Sequence, residues 1–216
     1  MRPWTEIEDE LQGCRAAHAR LVAGLGTLTD DQVRQPSQLP GWSVGHVLTH
    51  VARNADSHRR LFDAAARGEV GERYPGGREQ RNGEIEHGSV RPAAVVRADV
   101  ADSAASLEAA WDACTTWEAV GGNRGTAEPL SETPFKRWRE VEVHHADLGL
   151  GFSFADWSSG YVRRDLRRAE MVWRASHPMG LTGLPAAALA MPPNERLAWL
   201  LGRIQVDGLP DPPEWL

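Results

Sequence analysis

The stretch Phe135-Lys-Arg-Trp-Arg-Glu-Val-Glu-Val-His-His-Ala-Asp-Leu148 carries the pattern from which the fold is predicted. Its apolar stripe has the three- and four-residue spacing of one helix face and consists of Phe135, Trp138, Val141, His145 and Leu148. Such a stripe is typical of a helix that packs in a bundle. A neighbouring stripe holds Glu140 and His144, which lie one turn apart. We therefore predict a helix over about 134–148 with a polar pair beside its buried face.

Three other segments have the same helical periodicity. The stripe of the first consists of Ile7, Leu11, Cys14, His18, Leu21, Leu25 and Leu28. The motif Thr29-Asp30-Asp31 is expected to end this helix. The second helix is expected over about 44–67, after Ser43 as N-cap. The third is expected to start at Pro92 and to run towards Trp117. Four amphipathic helices predict a four-helix bundle.

The inward-facing stripe of the second helix contains more polar residues than a buried helix face usually does. Its members are Val47, His50, Val51, Asn54, His58 and Leu61. A polar group that is buried without a partner costs free energy. We therefore expect groups from other helices, or a bound ion, to satisfy this face.

The remaining segments are shorter and contain more glycine and proline. The expected elements are a long loop over 68–88 with a short helix around 78–86, a turn over 121–125, helices over 157–176 and 194–201, and two short strands over 179–184 and 187–191. The predicted fold is mainly α, with a bundle domain over 1–151. A small C-terminal α/β lobe is expected over 152–216 and is expected to contribute to a cleft.

The composition argues against several classes of function. The net charge of -6 lacks the basic surplus of a general nucleic-acid binder. No stretch approaches the roughly 20 apolar residues of a membrane span, and Met1–Gly13 is too polar for a signal peptide. Cys14 and Cys114 lie neither in a CxxC pair nor beside a histidine, so we expect reduced, non-catalytic thiols. The expectation is a cytoplasmic protein that binds neither nucleic acid nor membrane.

The polar pair in the fourth helix suggests a metal site. Facing helices of a bundle can bring Glu140 and His144 to one ion together with His50. Three protein ligands leave positions open, as in catalytic zinc sites, although two histidines and a carboxylate also suit iron, nickel or manganese. From spacing alone a solvated Glu140–His144 pair remains an alternative. Equally open are a site built on Glu142 and His145, and one with His46 in place of His50.

Two motifs resemble those of a known family. They are Leu39-Pro-Gly-Trp-Ser-Val-Gly-His-Val-Leu-Thr-His-Val-Ala-Arg-Asn54 and Trp138-Arg-Glu-Val-Glu-Val-His-His-Ala-Asp-Leu-Gly149. Both resemble the mycothiol-dependent maleylpyruvate isomerase family, a branch of the DinB-like bundles. The segments over 78–88 and 202–216 are also similar to it, so the resemblance covers nearly the whole chain. It implies a DinB-like four-helix bundle followed by a small lobe.

The resemblance also implies which residues act. It gives the metal-ligand role to His50, Glu140 and His144. It implies that Arg203 in the lobe is a catalytic and cofactor-binding contact. Arg81 matches a second catalytic position near the same cleft. Asp147, almost one turn after His144, is expected to orient that ligand.

The implied activity is cis-trans isomerisation of maleylpyruvate to fumarylpyruvate by reversible addition of a thiolate. The implied cofactors are a divalent metal ion, expected to be Zn²⁺, and the thiol mycothiol. A free thiol has a pKa of about 8.5, and a bound divalent ion stabilises its thiolate at neutral pH. Lys136 is the only lysine among 24 basic residues, and arginines suit a small acidic or electrophilic substrate. The alternatives are a mycothiol S-transferase, a metal-dependent hydrolase and a non-catalytic zinc-binding module.

Overall fold

The computed structural model describes residues 3–123, 125–176 and 183–212. The helices are α1 (Trp4–Gly24), α2 (Asp30–Arg34), α3 (Val44–Ala66), α4 (Gly77–Ser89), α5 (Ala93–Asp112), α6 (Thr133–Asp147), α7 (Ser159–Ser176), α8 (Ala186–Ala190) and α9 (Pro193–Leu200). The strands are β1 (Gly71–Glu72), β2 (Val120–Asn123) and β3 (Thr126–Pro129), and short 3-10 helices cover Leu130–Glu132 and Phe154–Asp156. The chain divides into two compact units, Met1–Leu150 and Gly151–Leu216.

The first unit is built on a four-helix bundle, as predicted. Helix α1 packs against α6 and α5, and α3 packs against α5 and α6, so the four long helices form a closed ring of neighbours. All seven stripe residues of the first segment are buried, and so are all six of the polar stripe on α3. The helix periodicity therefore identified the core-facing sides correctly.

The helix ends follow local capping chemistry, with one correction. Ser43 caps α3 and accepts a hydrogen bond from the backbone N–H of His46, as predicted. The prediction that Thr29-Asp30-Asp31 ends the first helix is wrong, because α1 already ends at Gly24. Thr29 instead caps the short helix α2 and forms a capping box with Gln32. A threonine followed three residues later by glutamine is the signature of a helix start.

A small three-stranded sheet is formed by chain segments that connect the bundle helices. Strand β2 pairs in parallel with β1 and antiparallel with β3. The expected turn over 121–125 is therefore too long, because 121–123 belong to β2. Glycine permits the close packing of this sheet on α3: a Cβ added at Gly71 would lie 2.9 Å from the Cα of Leu61. The segment 68–88, expected as a long loop with a short helix around 78–86, contains β1 and nearly all of the helix α4, which runs from Gly77 to Ser89.

The second unit is helical in its described part. The strand predicted over 187–191 is wrong, because Ala186–Ala190 form α8 after Pro185. Alanine is the strongest helix former, and a short apolar run does not distinguish strand from helix by periodicity. The other predicted strand, over 179–184, lies mostly outside the described residues. Residues 151–176 and 183–212 contain no strand, so the α/β character expected of the lobe is not seen there.

The helices lack the properties of a membrane span. Among the described residues, none of them combines sufficient length with sufficient apolar character to cross a bilayer.

Candidate metal centre

Three predicted ligands meet where α3 packs against α6. His50 lies two turns into α3, and Glu140 and His144 lie one turn apart on α6. Their donor atoms lie within 4.8 Å of one another, and no other such cluster occurs in the described part of the chain. His50 Nε2 is 3.0 Å from Glu140 Oε2 and 3.1 Å from His144 Nε2. The remaining pair, His144 Nε2 and Glu140 Oε2, is 3.4 Å apart.

This triangle has the size of a tetrahedral coordination face. Bonds of about 2.0–2.1 Å to a tetrahedral zinc ion place neighbouring ligand atoms roughly 3.3 Å apart. The three separations in the structure, 3.0, 3.1 and 3.4 Å, bracket that value closely. Two imidazoles and one carboxylate are donors that zinc and other divalent transition metals accept. The residues present therefore fit a divalent metal ion.

Each histidine of the triangle has a different partner on its second ring nitrogen. His144 Nδ1 lies 2.9 Å from Asp147 Oδ2, on the same helix. His50 Nδ1 lies 3.0 Å from a guanidinium nitrogen of Arg81, which α4 supplies. The indole of Trp42 contacts the His50 ring edge-on, at 5.6 Å between centroids. These neighbours fix the orientation of both rings.

The charges of the triangle are strongly perturbed. Burial lowers the pKa of His50 to about 4, although Glu140 opposes this shift. Burial also disfavours the charged form of His144, but hydrogen bonds with Asp147 and Glu140 outweigh it and raise the pKa to about 8. Burial would raise the pKa of Glu140, yet its hydrogen bonds with both histidines hold that pKa well below the usual range. Opposite shifts within one cluster are typical of functional sites.

The alternative ligand sets are engaged elsewhere. His46 Nδ1 contacts the Ser43 hydroxyl at 2.7 Å, and its Nε2 lies 3.3 Å from Glu86. Glu142 is fully buried and accepts hydrogen bonds from Arg20 and the Trp138 indole. In the structure the donor atoms of His50, Glu140 and His144 therefore converge, and those of His46 and Glu142 do not.

A second group of buried polar residues, centred on Arg137, lies in the bundle and was not predicted from the sequence. Arg137 is only 1% exposed. It donates to His18 Nε2 at 3.0 Å, to the Val51 carbonyl at 2.8 Å and to Asn54 Oδ1 at 2.9 Å. The sequence signal was its place three residues before Glu140 on the same stripe. Arg137 thus ties α6 to α1 and to the turn of α3 that follows His50.

The other predicted residues belong to both units of the chain. Asp147 and Arg81 contact the two histidines of the triangle, as described. Arg203 belongs to the second unit, where its Nη1 donates to the Leu201 carbonyl at 2.9 Å. His145 is buried in the bundle. The roles of Arg203 and Arg81 towards a substrate stay predictions.

Comparison with known proteins supports the resemblance. The family model described as "Mycothiol maleylpyruvate isomerase N-terminal domain" matches residues 14–149. A crystal structure of the mycothiol-dependent maleylpyruvate isomerase is 26% identical and superposes with a TM-score of 0.83 over 100% of both chains. A histidine-to-alanine mutant of the mycothiol-dependent maleylpyruvate isomerase is 24% identical, with a TM-score of 0.84 over 100% of both chains, and supports the fold. No curated protein matches the sequence. The chain belongs to the mycothiol maleylpyruvate isomerase family.

Proposed function

We propose that this protein is a metal- and mycothiol-dependent isomerase that converts maleylpyruvate to fumarylpyruvate. The observation that carries the proposal is the triangle of His50, Glu140 and His144, whose sides match a tetrahedral face. The structural relative that is 26% identical is named for this activity. Three protein ligands leave an open position, which distinguishes a catalytic zinc site from a structural one.

The chain's own thiols are poorly suited to nucleophilic chemistry. Cys14 is completely buried, and burial raises the pKa of its thiol far above the usual range. Burial also raises the pKa of Cys114. Because the thiolate is the nucleophile, a thiol addition in this protein needs sulfur from a separate molecule. This supports mycothiol as the cosubstrate.

The residues of the site have separate tasks in this proposal. His50, Glu140 and His144 would hold a divalent ion, expected to be zinc, which supplies charge that stabilises a thiolate at neutral pH. Asp147 accepts a hydrogen bond from His144 Nδ1 and so leaves Nε2 free to coordinate. Arg81, beside the triangle, and Arg203, in the second unit, would bind the carboxylates of the substrate.

Metal analysis of purified variants tests the ligand set. We expect about one equivalent of metal in the wild type and almost none in His50→Ala, Glu140→Gln and His144→Ala. Asp147→Asn should keep the site but bind the metal about 10–100-fold more weakly, since it loses only the orienting contact. His87→Ala is the matched control, because that exposed histidine, as far as the described residues go, hydrogen-bonds only to the Gly83 carbonyl in its own helix α4. Equal metal in the wild type and His50→Ala would refute the site.

Product analysis tests the reaction. We expect metal-loaded protein to form fumarylpyruvate from maleylpyruvate only when mycothiol is present, with the thiol regenerated. An adduct of mycothiol and substrate that accumulates would instead identify an S-transferase, which the same site can serve. Turnover without any thiol would contradict the proposal and favour a hydrolase.

A further inference from the structure

Two arginines beside the candidate metal centre have no carboxylate partner in the described part of the chain. Arg73 follows strand β1, Arg81 lies in helix α4, and both residues are partly buried. Arg73 donates from Nε to the Ser57 hydroxyl at 3.1 Å. Arg81 contacts His50 Nδ1 at 3.0 Å and the Asn82 side chain at 3.1 Å. Because charges that leave water are ordinarily paired, these two guanidiniums are suited to an anionic ligand.

Three arginines nearby in the sequence are, in contrast, neutralised by acidic side chains. Arg53 pairs with Asp56 and Asp99, Arg59 pairs with Asp63, and Arg91 pairs with Asp99. Acidic residues are not scarce, since the net charge of the chain is -6. Arg73 and Arg81 therefore keep a positive charge that no described acid neutralises, and such a local field attracts anions.

The ring of Tyr74 brings the two guanidiniums close together. The Cζ atom of Arg73 lies over this ring at 5.7 Å from its centroid, and that of Arg81 lies at 6.0 Å. Cations are attracted to the face of an aromatic ring. Both guanidiniums are therefore held around one side chain, within reach of the two ends of one small molecule.

The position of Arg73 is fixed before any ligand binds. Its backbone N–H donates to the Gly122 carbonyl at 2.9 Å, and its own carbonyl accepts from Arg60 Nη1 at 3.0 Å. Its Nε is occupied by Ser57, and within the described residues its two Nη atoms have no hydrogen-bond acceptor. Two parallel N–H donors of this kind fit a carboxylate in a bidentate manner.

We propose that Arg73 and Arg81 bind the two carboxylates of a dianionic substrate, with Arg73 as a specificity-determining residue for dicarboxylates. This rests on the proposed function and adds to it the substrate class that the site selects. Arg81, in contact with His50, binds the carboxylate attached to the reacting double bond of maleylpyruvate. Arg73 binds the carboxylate at the pyruvate end. A monocarboxylate satisfies only one of the two guanidiniums.

Calorimetric titration of the full chain with two non-reacting acids tests the site. The probes are heptanedioate, a diacid of the same chain length as maleylpyruvate, and heptanoate, which lacks the second carboxylate. The wild type should bind heptanedioate more tightly. Arg73→Met should weaken heptanedioate binding about tenfold, because a charged hydrogen-bonded pair is lost, and should change heptanoate binding much less.

Arg78→Met is the matched control for this titration, because it removes a positive charge from an exposed position in α4. It should bind both acids like the wild type. Equal heptanedioate affinity in Arg73→Met and the wild type overturns the proposal, and so does a wild type that does not prefer heptanedioate to heptanoate. Arg73→Lys keeps the charge without the fork. Where Arg73→Met fails to fold, wild-type affinity in Arg73→Lys overturns the proposal.

Steady-state kinetics separate this proposal from the proposed reaction. Arg73→Met should raise the KM for maleylpyruvate about tenfold and lower kcat less, because it removes binding that the ground state and the transition state share. A lower kcat with an unchanged KM overturns the role of Arg73 in specificity. Heptanedioate binding that depends on Arg73, in a protein that does not isomerise maleylpyruvate, would refute the proposed reaction and support the dicarboxylate site.

Discussion

At the scale of single residues, the buried histidines outside the metal centre differ in how their nitrogens are satisfied. His18 contacts Glu108 through Nδ1 at 2.7 Å and accepts from Arg137 through Nε2. His58 is as deeply buried, but neither of its ring nitrogens has a hydrogen-bond partner in the described part of the chain. Burial lowers the pKa of His18 to about 4, and burial with nearby Arg73 and Arg137 lowers that of His58 well below its ordinary value.

These shifts predict acid sensitivity of the fold. Both histidines have a lower pKa in the folded chain than the unfolded value of about 6.5. As pH falls through 6.5 towards 4, the unfolded chain binds more protons than the folded one, so the free energy of unfolding decreases. Urea denaturation at pH 7.5 and pH 5 should show this loss.

Two matched variants separate the histidines. His58→Leu should not lower the free energy of unfolding at pH 7.5, because it removes buried polar atoms without partners, and it should reduce the loss at pH 5. His18→Leu should lower the free energy of unfolding by about 1–3 kcal/mol at pH 7.5, since Arg137 loses a hydrogen-bond acceptor in the core. If His58→Leu destabilises the protein at pH 7.5 as much as His18→Leu does, the prediction that the His58 imidazole makes no stabilising hydrogen bond is wrong.

At the scale of elements, the packing of α4 against α3 determines whether the Arg81 side chain reaches His50. Helices α3 and α4 approach so closely at Gly45 that an added Cβ would lie 2.1 Å from the Ser89 carbonyl oxygen at the end of α4. The same Cβ would lie 2.8 Å from Cγ1 of Val33 in α2. Backbone cannot move aside as a flexible side chain can, so only glycine fits there. Within α4 itself, a Cβ added at Gly83 would have no neighbour within 4 Å.

Alanine at these two glycines should therefore have opposite effects. Gly45→Ala should destabilise the protein by about 1–3 kcal/mol through overpacking and displace α4 with Arg81. Gly83→Ala should stabilise it by up to about 1 kcal/mol, because alanine favours a helix and meets no obstacle. Chemical denaturation measures both changes. Equal stability of Gly45→Ala and Gly83→Ala would contradict the close helix contact.

At the scale of the whole molecule, the chain consists of two compact units. The three candidate ligands, Asp147 and Arg81 all lie in the first unit, Met1–Leu150, together with the ring of four helices. Arg203 lies in the second unit. The proposed metal site and the proposed substrate contact of the lobe are thus separable in principle.

A fragment of residues 1–150 tests this separation. We expect it to unfold cooperatively, to keep its helical circular dichroism and to bind about one equivalent of zinc, because its core and ligands are complete. It should lack isomerase activity, because Arg203 is absent. A fragment that is unfolded, or one that is as active as the full chain, would contradict the proposed division of the domains.

By itself the sequence determined the bundle, its core-facing stripes and the pair Glu140–His144, because helical periodicity and i,i+4 spacing are local properties. Family motifs then selected His50 over His46. The lobe strand over 187–191 was mispredicted because a short apolar run has no distinctive period. Only the tertiary structure decided that Arg137 is buried against His18, that no described group hydrogen-bonds to the His58 ring, and that Arg81 donates to His50. The contacts of Arg81 and Arg137 join residues 31 and 119 positions apart, and no spacing within a helix encodes which side chain from another helix arrives there.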